Sequence, residues 1–306
     1  MEDSNQEFVI RTLQKLQERV KGIFDRFVDD QIHAIEDTKV KIKKRRGVIA
    51  FIKIFPNFSA IIENIVPPAD GPERFNVRAT IDAAYTRINK AMFDSLTVIA
   101  KESPSVIGGT SNQGHGGVIG HGTDPEDKET LNYHILLIEN MYHYFTEVEE
   151  RGDLVLGQWR GKAMLEMSEH QDSYVSAVIR RPLGNLLDFL ESIENVMSSF
   201  PGRDIATNIP TTHASHSRSV FKKTIGAYDG KEIRRGIDTL KKRIEKHFGE
   251  ADDPVISHKL VATIQAECER RYNDALDRTQ RIATEVYEGT VEVEFGKADV
   301  SQAFRR

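Results

Sequence analysis

The sequence predicts an all-α protein, built as elongated antiparallel helical bundles stacked end to end. Apolar residues recur at intervals of three or four along most of the 306 residues, which is the period of an amphipathic helix. The chain is 39% hydrophobic and 29% charged. Because a typical globular domain has about 25% charged residues, this composition favours a shape with a large solvated surface. At about 150 residues per domain, the length suits two domains.

The first helix has a narrow apolar stripe, the N-terminal seam. Its residues are spaced by 4, 3, 4, 3 and 4: Val9, Leu13, Leu16, Val20, Ile23 and Phe27. This spacing is typical of a coiled coil. After Phe27 the stripe moves to Val28 and Ile32, so the heptad repeat is not sustained. We therefore expect this helix to pack against several neighbours rather than to form a simple dimer.

Five later segments continue the helical period. They are 81–99, 131–145, 183–200, 233–244 and a long helix from 256 that reaches Glu288. Aspartates mark three helix starts: Asp229 stands three residues before Glu232, and Asp124 and Asp253 each precede a proline. The run 291–295 alternates apolar residues with glutamates, as in a strand, but it is too short to found a sheet alone.

Two segments interrupt the helical pattern and predict the domain organisation. The first, 103–123, is rich in Gly, Ser, Asn and His, and the second, 201–217, is polar. Charge and composition change at the first. We therefore predict an N-terminal bundle over 1–107, a flexible Gly-rich loop over 108–127 and a C-terminal bundle over 128–306.

The sequence predicts a soluble, cytoplasmic chain. Its N-terminus is polar and acidic, unlike a signal peptide, and the most apolar stretch, 48–58, is too short to span a bilayer. Cys268 is the only cysteine, so it cannot form an intramolecular disulfide, and we expect a reducing compartment in which it packs in the core.

No pattern of an enzyme, a cofactor site or a metal site is visible in the sequence. The Gly-rich loop lacks a closing Gly-Lys-Ser/Thr and is followed by acidic residues that would repel phosphate. His115 and His121 in that loop, and His213 and His216 in the second connector, have no Cys or carboxylate at ligand spacing. We predict a protein without catalytic residues, cofactor, metal or small-molecule substrate. The net charge of −5 argues against a cationic nucleic-acid coat.

The charges are distributed unevenly along the chain. Six of the eight residues over 39–46 are basic, directly ahead of the apolar run 48–55. Residues 218–246 hold ten cations and four acids, a balance of +6, whereas 124–153 has a balance of −7. The candidate docking residues are Lys43, Lys44, Arg45, Arg46, Lys222, Lys223, Arg234, Arg235, Lys241, Lys242 and Arg243.

These cations have more than one interpretation. Charge runs are most often solvated faces or are paired within the molecule. Alternatively they bind an acidic partner or anionic lipid headgroups, and for the cluster over 39–46 an import receptor is a further alternative. The membrane interpretation expects Ile52, Phe55 and Phe58, next to the first cluster, to be exposed.

Several strings give the chain a family resemblance that covers it almost entirely, apart from the Gly-rich loop. They are FVDDQIHAIEDTKVKIKKRRG over 27–47, FIKIFPNF over 51–58, IRRPLGNLLDFLESIE over 179–194, SRSVFKK over 217–223, EIRRG over 232–236 and EVYEG over 285–289. With them the chain resembles the C-terminal region of the exocyst subunit Sec-three, in its fungal form.

The resemblance implies a helical-rod region of a vesicle-tethering complex, without catalysis. It implies other exocyst subunits as partners, SNARE or small-GTPase machinery reached through the complex, and a location at the cytoplasmic periphery of the plasma membrane. The family's N-terminal lipid-binding domain has no counterpart here, so none of its contacts is transferred to this chain. The alternative is a stand-alone peripheral module that recognises anionic lipid through the basic clusters.

Overall fold

The computed structural model describes residues 2–41, 47–66, 75–101, 125–199, 214–249 and 253–305. Its α-helices are α1 (Glu2–Lys41), α2 (Ala50–Ile65), α3 (Phe75–Lys101), α4 (Pro125–Arg151), α5 (Gly157–Ser199), α6 (Arg218–Gly226), α7 (Gly230–Phe248), α8 (Pro254–Glu285) and α9 (Lys297–Arg305). Short 3₁₀ helices cover Leu154–Leu156 and Ala214–His216. The predicted all-α class is confirmed, and no strand occurs within the described ranges.

The helix starts follow the predicted capping chemistry. The Asp229 carboxylate accepts hydrogen bonds from the backbone N–H groups of Lys231 and Glu232, at 2.9 and 2.7 Å. Asp253 caps α8 in the same way, and Pro254 occupies its first turn. The α8 helix ends at Glu285, three residues before the predicted end. The strand-like run 291–295 is irregular.

The chain divides into two compact units, Met1–Met167 and Ser168–Arg306. This division lies inside α5 and differs from the predicted bundles over 1–107 and 128–306. The reason is that α4 packs against α2 and α3, which brings residues 128–167 into the first unit. Most of the predicted Gly-rich loop lies outside the described residues.

The core of the first unit is formed where α1 packs on α3 and α4 packs on both α2 and α3. The Phe93 ring contacts the rings of Tyr144 and Trp159 edge-on, each at a centroid distance of 5.4 Å. The Tyr144 hydroxyl donates to Asn89 Oδ1 at 2.6 Å, and Asn89 Nδ2 donates to the Tyr85 carbonyl at 2.8 Å. These buried polar groups therefore satisfy one another inside an apolar core.

In the second unit, α7 packs on α8, and α9 packs on both. The buried face of α7 repeats at intervals of three or four, as predicted: Ile233, Ile237, Leu240, Ile244 and Phe248. Tyr174 of α5 contacts Phe248 edge-on at 5.1 Å, and Tyr272 of α8 contacts Phe304 of α9 at 5.8 Å. Aromatic rings from α5, α7, α8 and α9 thus share this core.

Candidate partner-docking groove

A groove between α5 and α7 is the best-formed candidate site. Its base is set by a close approach of the two helices at Gly236 of α7. A Cβ atom at Gly236 would lie 3.2 Å from Pro182 Cβ of α5 and 3.4 Å from Tyr272 Oη of α8. Only a residue without a side chain allows this separation without a shift of its neighbours. The Leu186 N–H donates to Tyr228 Oη at 3.2 Å, which ties the start of α7 to α5.

The groove has an apolar floor and charged walls. Its volume is about 260 Å³. Pro182, which is partly exposed, and Ala227, which is exposed, supply its apolar surface, above the buried side chains of Val178 and Leu240. Two kinds of charge line the rest of it: the guanidinium groups of Arg181, Arg235 and Arg243, and the carboxylate of Glu232. The positive charge therefore exceeds the negative charge around the groove.

Two of the three guanidinium groups have no ion pair among the described residues, namely those of Arg181 and Arg243. Arg235 lies 3.6 Å from Glu232, one turn earlier on α7, and both side chains are largely exposed. Such a pair is worth little in water. A guanidinium binds a carboxylate or phosphate through two parallel hydrogen bonds. This arrangement can thus hold an anionic group beside an apolar side chain of the same ligand.

The remaining predicted cations of the second unit lie elsewhere. Arg234 pairs with Asp299 of α9 at 2.8 Å and lowers the pKa of that carboxyl below its ordinary value. The Lys241 ammonium donates to the Phe304 carbonyl at 2.9 Å. Lys222 and Lys223 on α6 and Lys242 on α7 are exposed and do not line the groove. The basic run of 218–246 is therefore not a single surface.

Arg181 was not among the predicted docking residues. It lies on α5, about 40 residues before the nearest predicted docking residue, within the string IRRPLGNLLDFLESIE of the family resemblance. The signal that could have identified it is the Arg180-Arg181 pair ahead of Pro182. Arg180, its neighbour, instead pairs with Asp188 and Glu191 on α5.

Lys43, Lys44, Arg45 and Arg46 of the first cluster lie outside the described residues. Gly47, which follows them, is described: its N–H donates to Glu139 Oε2 at 3.0 Å and its carbonyl accepts from Asn140 Nδ2 at 3.2 Å. The expected exposure of the adjacent apolar side chains is wrong. Ile52 and Phe55 are fully or almost fully buried, and Phe58 is partly buried, because α2 packs against α4 and α3.

The histidines and the cysteine that were weighed as metal ligands or nucleophiles are buried in the core where the structure describes them. Within the described ranges, no group of three His, Cys, Asp or Glu side chains could hold a metal ion. His216 is buried, with Nε2 2.8 Å from Ser192 Oγ; His115, His121 and His213 lie outside the described residues. Cys268 is buried in the core, as expected, and burial raises its pKa to about 12.

Residues 1–289 match the family model described as Exocyst complex component Sec3, C-terminal. The chain is 24% identical over 247 residues to mouse exocyst complex component 1, which covers 80% of the chain and 24% of that relative. The Drosophila melanogaster protein of the same name is 23% identical over 293 residues, 94% of the chain and 28% of the relative. Arabidopsis thaliana exocyst complex component SEC3A is 21% identical over 282 residues, 92% of the chain and 26% of the relative.

The chain thus spans about a quarter of the length of the curated relatives it matches. No solved structure matches it significantly. Among the helices in the described part of the chain, none is long and apolar enough to cross a membrane.

Proposed function

Since the chain belongs to the family of Sec3 C-terminal regions, we propose that it is a non-catalytic subunit region of the exocyst. In this role it helps to tether secretory vesicles to the plasma membrane before fusion, through contacts between its helical faces and neighbouring subunits. The family match over residues 1–289 carries this proposal, and the relatives named above are themselves exocyst components. Exocyst subunits are generally not enzymes.

We further propose that the groove between α5 and α7 is one of the docking surfaces. Its expected occupant is an acidic segment of a neighbouring subunit, which places a carboxylate between Arg181 and Arg243. An apolar side chain of the same segment would pack on Pro182 and Ala227, the lining residues whose apolar side chains are at least partly exposed. Two guanidinium groups without an ion pair among the described residues support this proposal, because arginine is enriched in the hot spots of protein interfaces.

Affinity purification of the tagged chain from a fungal lysate tests both proposals. The wild-type chain should recover other exocyst subunits. The double variant Arg181→Glu/Arg243→Glu should lower that recovery by about ten-fold or more, because charge reversal repels an acidic segment. Lys222→Glu/Lys223→Glu is the matched control: it makes the same charge change on α6, outside the lining of the groove.

Two outcomes contradict the proposals separately. If the wild-type chain recovers no exocyst subunit under gentle salt, the tethering assignment fails. If both double variants lose the subunits equally, the effect is one of overall charge and the groove is not a docking surface.

The proposed location is the cytoplasmic periphery of the plasma membrane, reached through the complex. Any contact with SNARE or small-GTPase machinery would also be made through the complex. The alternative of a stand-alone membrane module relied on exposed apolar side chains at Ile52 and Phe55, and both are buried. Liposome sedimentation tests what remains of it: binding that requires anionic lipid and falls in Lys44→Glu/Arg45→Glu would restore the alternative.

A further inference from the structure

The N-terminal half of α1 has no buried side chain among the residues that the structure describes. Every residue from 6 to 23 is exposed, and the first buried residue of the helix is Val28. Further along, α1 packs against α3. A helix of this length without tertiary contacts is only marginally stable in water, since most helical stability in proteins comes from packing of an apolar face. Residues 6–23 therefore have the apolar pattern of a packed helix, but no described helix buries them.

Five of the six residues of the N-terminal seam lie on this exposed segment. The sixth, Phe27, contacts Phe58 of α2 at a ring-centroid distance of 6.1 Å. The exposed fractions of the five side chains are 51% for Val9, 59% for Leu13, 57% for Leu16, 58% for Val20 and 53% for Ile23. These exposed fractions indicate a binding surface, because a stripe of large apolar side chains over about four helical turns is rare on the surface of a monomer. The heptad spacing fits knobs-into-holes packing with one further helix. It does not fit an irregular apolar ligand.

The charges beside the seam indicate what kind of helix fits. Arg19 and Arg26 stand at the position immediately before a seam residue, where coiled coils carry their interhelical charges. The acidic residues of this part of α1 are Glu7, Glu18 and Asp25. At about 100° per residue they lie on the face of the helix opposite the seam. The two charged residues on the border of the seam are therefore both basic, and they are complementary to acidic residues on the border of a partner helix.

A second copy of this chain does not meet that requirement. In a parallel coiled coil, a residue just before the seam faces the residue five positions later on the other helix. In a parallel pair of this chain, Arg19 would therefore face Phe24 of the other copy, and Arg26 would face Gln31. In an antiparallel pair, arginine would face arginine. Neither arrangement forms an ion pair, and the antiparallel one is repulsive.

We propose that the N-terminal seam binds a helix of another exocyst subunit, with apolar residues on its own heptad seam and Asp or Glu at the bordering positions. That the partner is an exocyst subunit rests on the proposed function. That the partner helix is acidic at its borders rests only on the seam and its two arginines.

Zero-length crosslinking in the native assembly tests the partner. The variant Arg19→Lys places an amine at the border of the seam, and a carbodiimide then joins it only to a carboxylate in direct contact. We expect crosslinks from residue 19 to an Asp or Glu of another subunit. Adding Leu16→Asp should lower their yield by about ten-fold or more, since a charge in an apolar seam prevents packing. Adding Gln14→Asp, the same charge change away from the seam, should leave the yield unchanged.

Three results overturn the proposal: crosslinks only within the same polypeptide, crosslinks to a second copy, or yields that Leu16→Asp does not alter. Because Leu16 is exposed, its substitution should leave the first unit folded, and near-UV circular dichroism of the purified chain checks this.

A second experiment uses the purified full chain and does not depend on the exocyst assignment. The probe is a synthetic peptide of about four heptads with Ile and Leu on the seam and Glu at all bordering positions; the control peptide has Lys there. Hydrogen exchange at residues 6–27 should slow at least about ten-fold with the Glu peptide and remain unchanged with the Lys peptide. Equal protection by both peptides, or by neither, overturns the acidic-helix proposal even where exocyst subunits are recovered.

Discussion

The substitution Gly236→Ala tests the close approach of α5 and α7 on which the groove depends. The new methyl group would lie 3.2 Å from Pro182 Cβ, closer than the 3.5–4.0 Å at which carbon atoms attract most strongly. Two effects oppose each other. Alanine in a helix interior stabilises by about 1 kcal/mol relative to glycine. Overpacking of a well-packed contact costs about 1–3 kcal/mol. The net expectation is a loss of stability of about 0–2 kcal/mol.

Gly184→Ala supplies the matched control. Gly184 also lies inside a helix of the second unit, α5, but no atom is within 4 Å of a Cβ placed there. This variant should therefore gain the full helix-propensity term, about 1 kcal/mol. The two alanine variants differ in packing and share the propensity term. Their difference, about 1–3 kcal/mol, measures the contact alone.

Hydrogen exchange of α7 peptides is the suitable assay, because it reports the free energy of opening of the second unit without requiring that the whole chain unfold in one step. The α7 amides of Gly236→Ala should be less protected than those of Gly184→Ala. If both variants gain the same protection, Gly236 does not touch Pro182, and the proposed shape of the groove is refuted.

Two further predictions concern buried groups. Tyr144→Phe should destabilise the first unit by about 1–3 kcal/mol, because Asn89 Oδ1 loses its hydrogen-bond donor in the core. Urea unfolding, followed by the fluorescence of Trp159, measures this loss. An unchanged urea midpoint would contradict the prediction. Cys268 should not react with a disulfide reagent at about pH 8 until the chain unfolds, because burial raises its pKa to about 12. The unfolded thiol loses its proton at lower pH, so this group should lower stability progressively from about pH 9 to about pH 12. Reaction of the native chain within mixing time would contradict the burial.

Features that depend on local sequence were predicted correctly. The capping carboxylates of Asp229 and Asp253 act on backbone groups two and three residues away, so their role is visible in the sequence. The error at Ile52 and Phe55 has a different cause. The α2 helix is apolar on nearly all sides, with Ile54 exposed beside them. Its contacts with α1, α3 and α4 decide which side is buried, and these contacts cannot be read from the pattern of α2 alone.

The groove could not be predicted for the same reason. Its arginines come from two helices, and their proximity depends on the contact between Pro182 and Gly236. Arg235 and Arg243 belong to a basic cluster that is visible in the sequence, whereas Arg181 lies outside that cluster. The composition of residues 218–246 shows that this run is basic. It does not show which of its cations form ion pairs or hydrogen bonds within the protein.

The positions of the cations on α7 explain why its charges divide between two roles. Arg234 and Lys241 are seven residues apart, two helical turns, so they share one side, and both contact α9. Arg235 and Arg243 are eight apart and share another side, which faces the groove. Charge reversal of the first pair should therefore loosen α9, whereas reversal of the second pair should leave α9 docked and weaken binding of an acidic partner. One basic run in the sequence thus contributes to packing on one side of the helix, and on the other side it lines the groove that we propose as a docking surface.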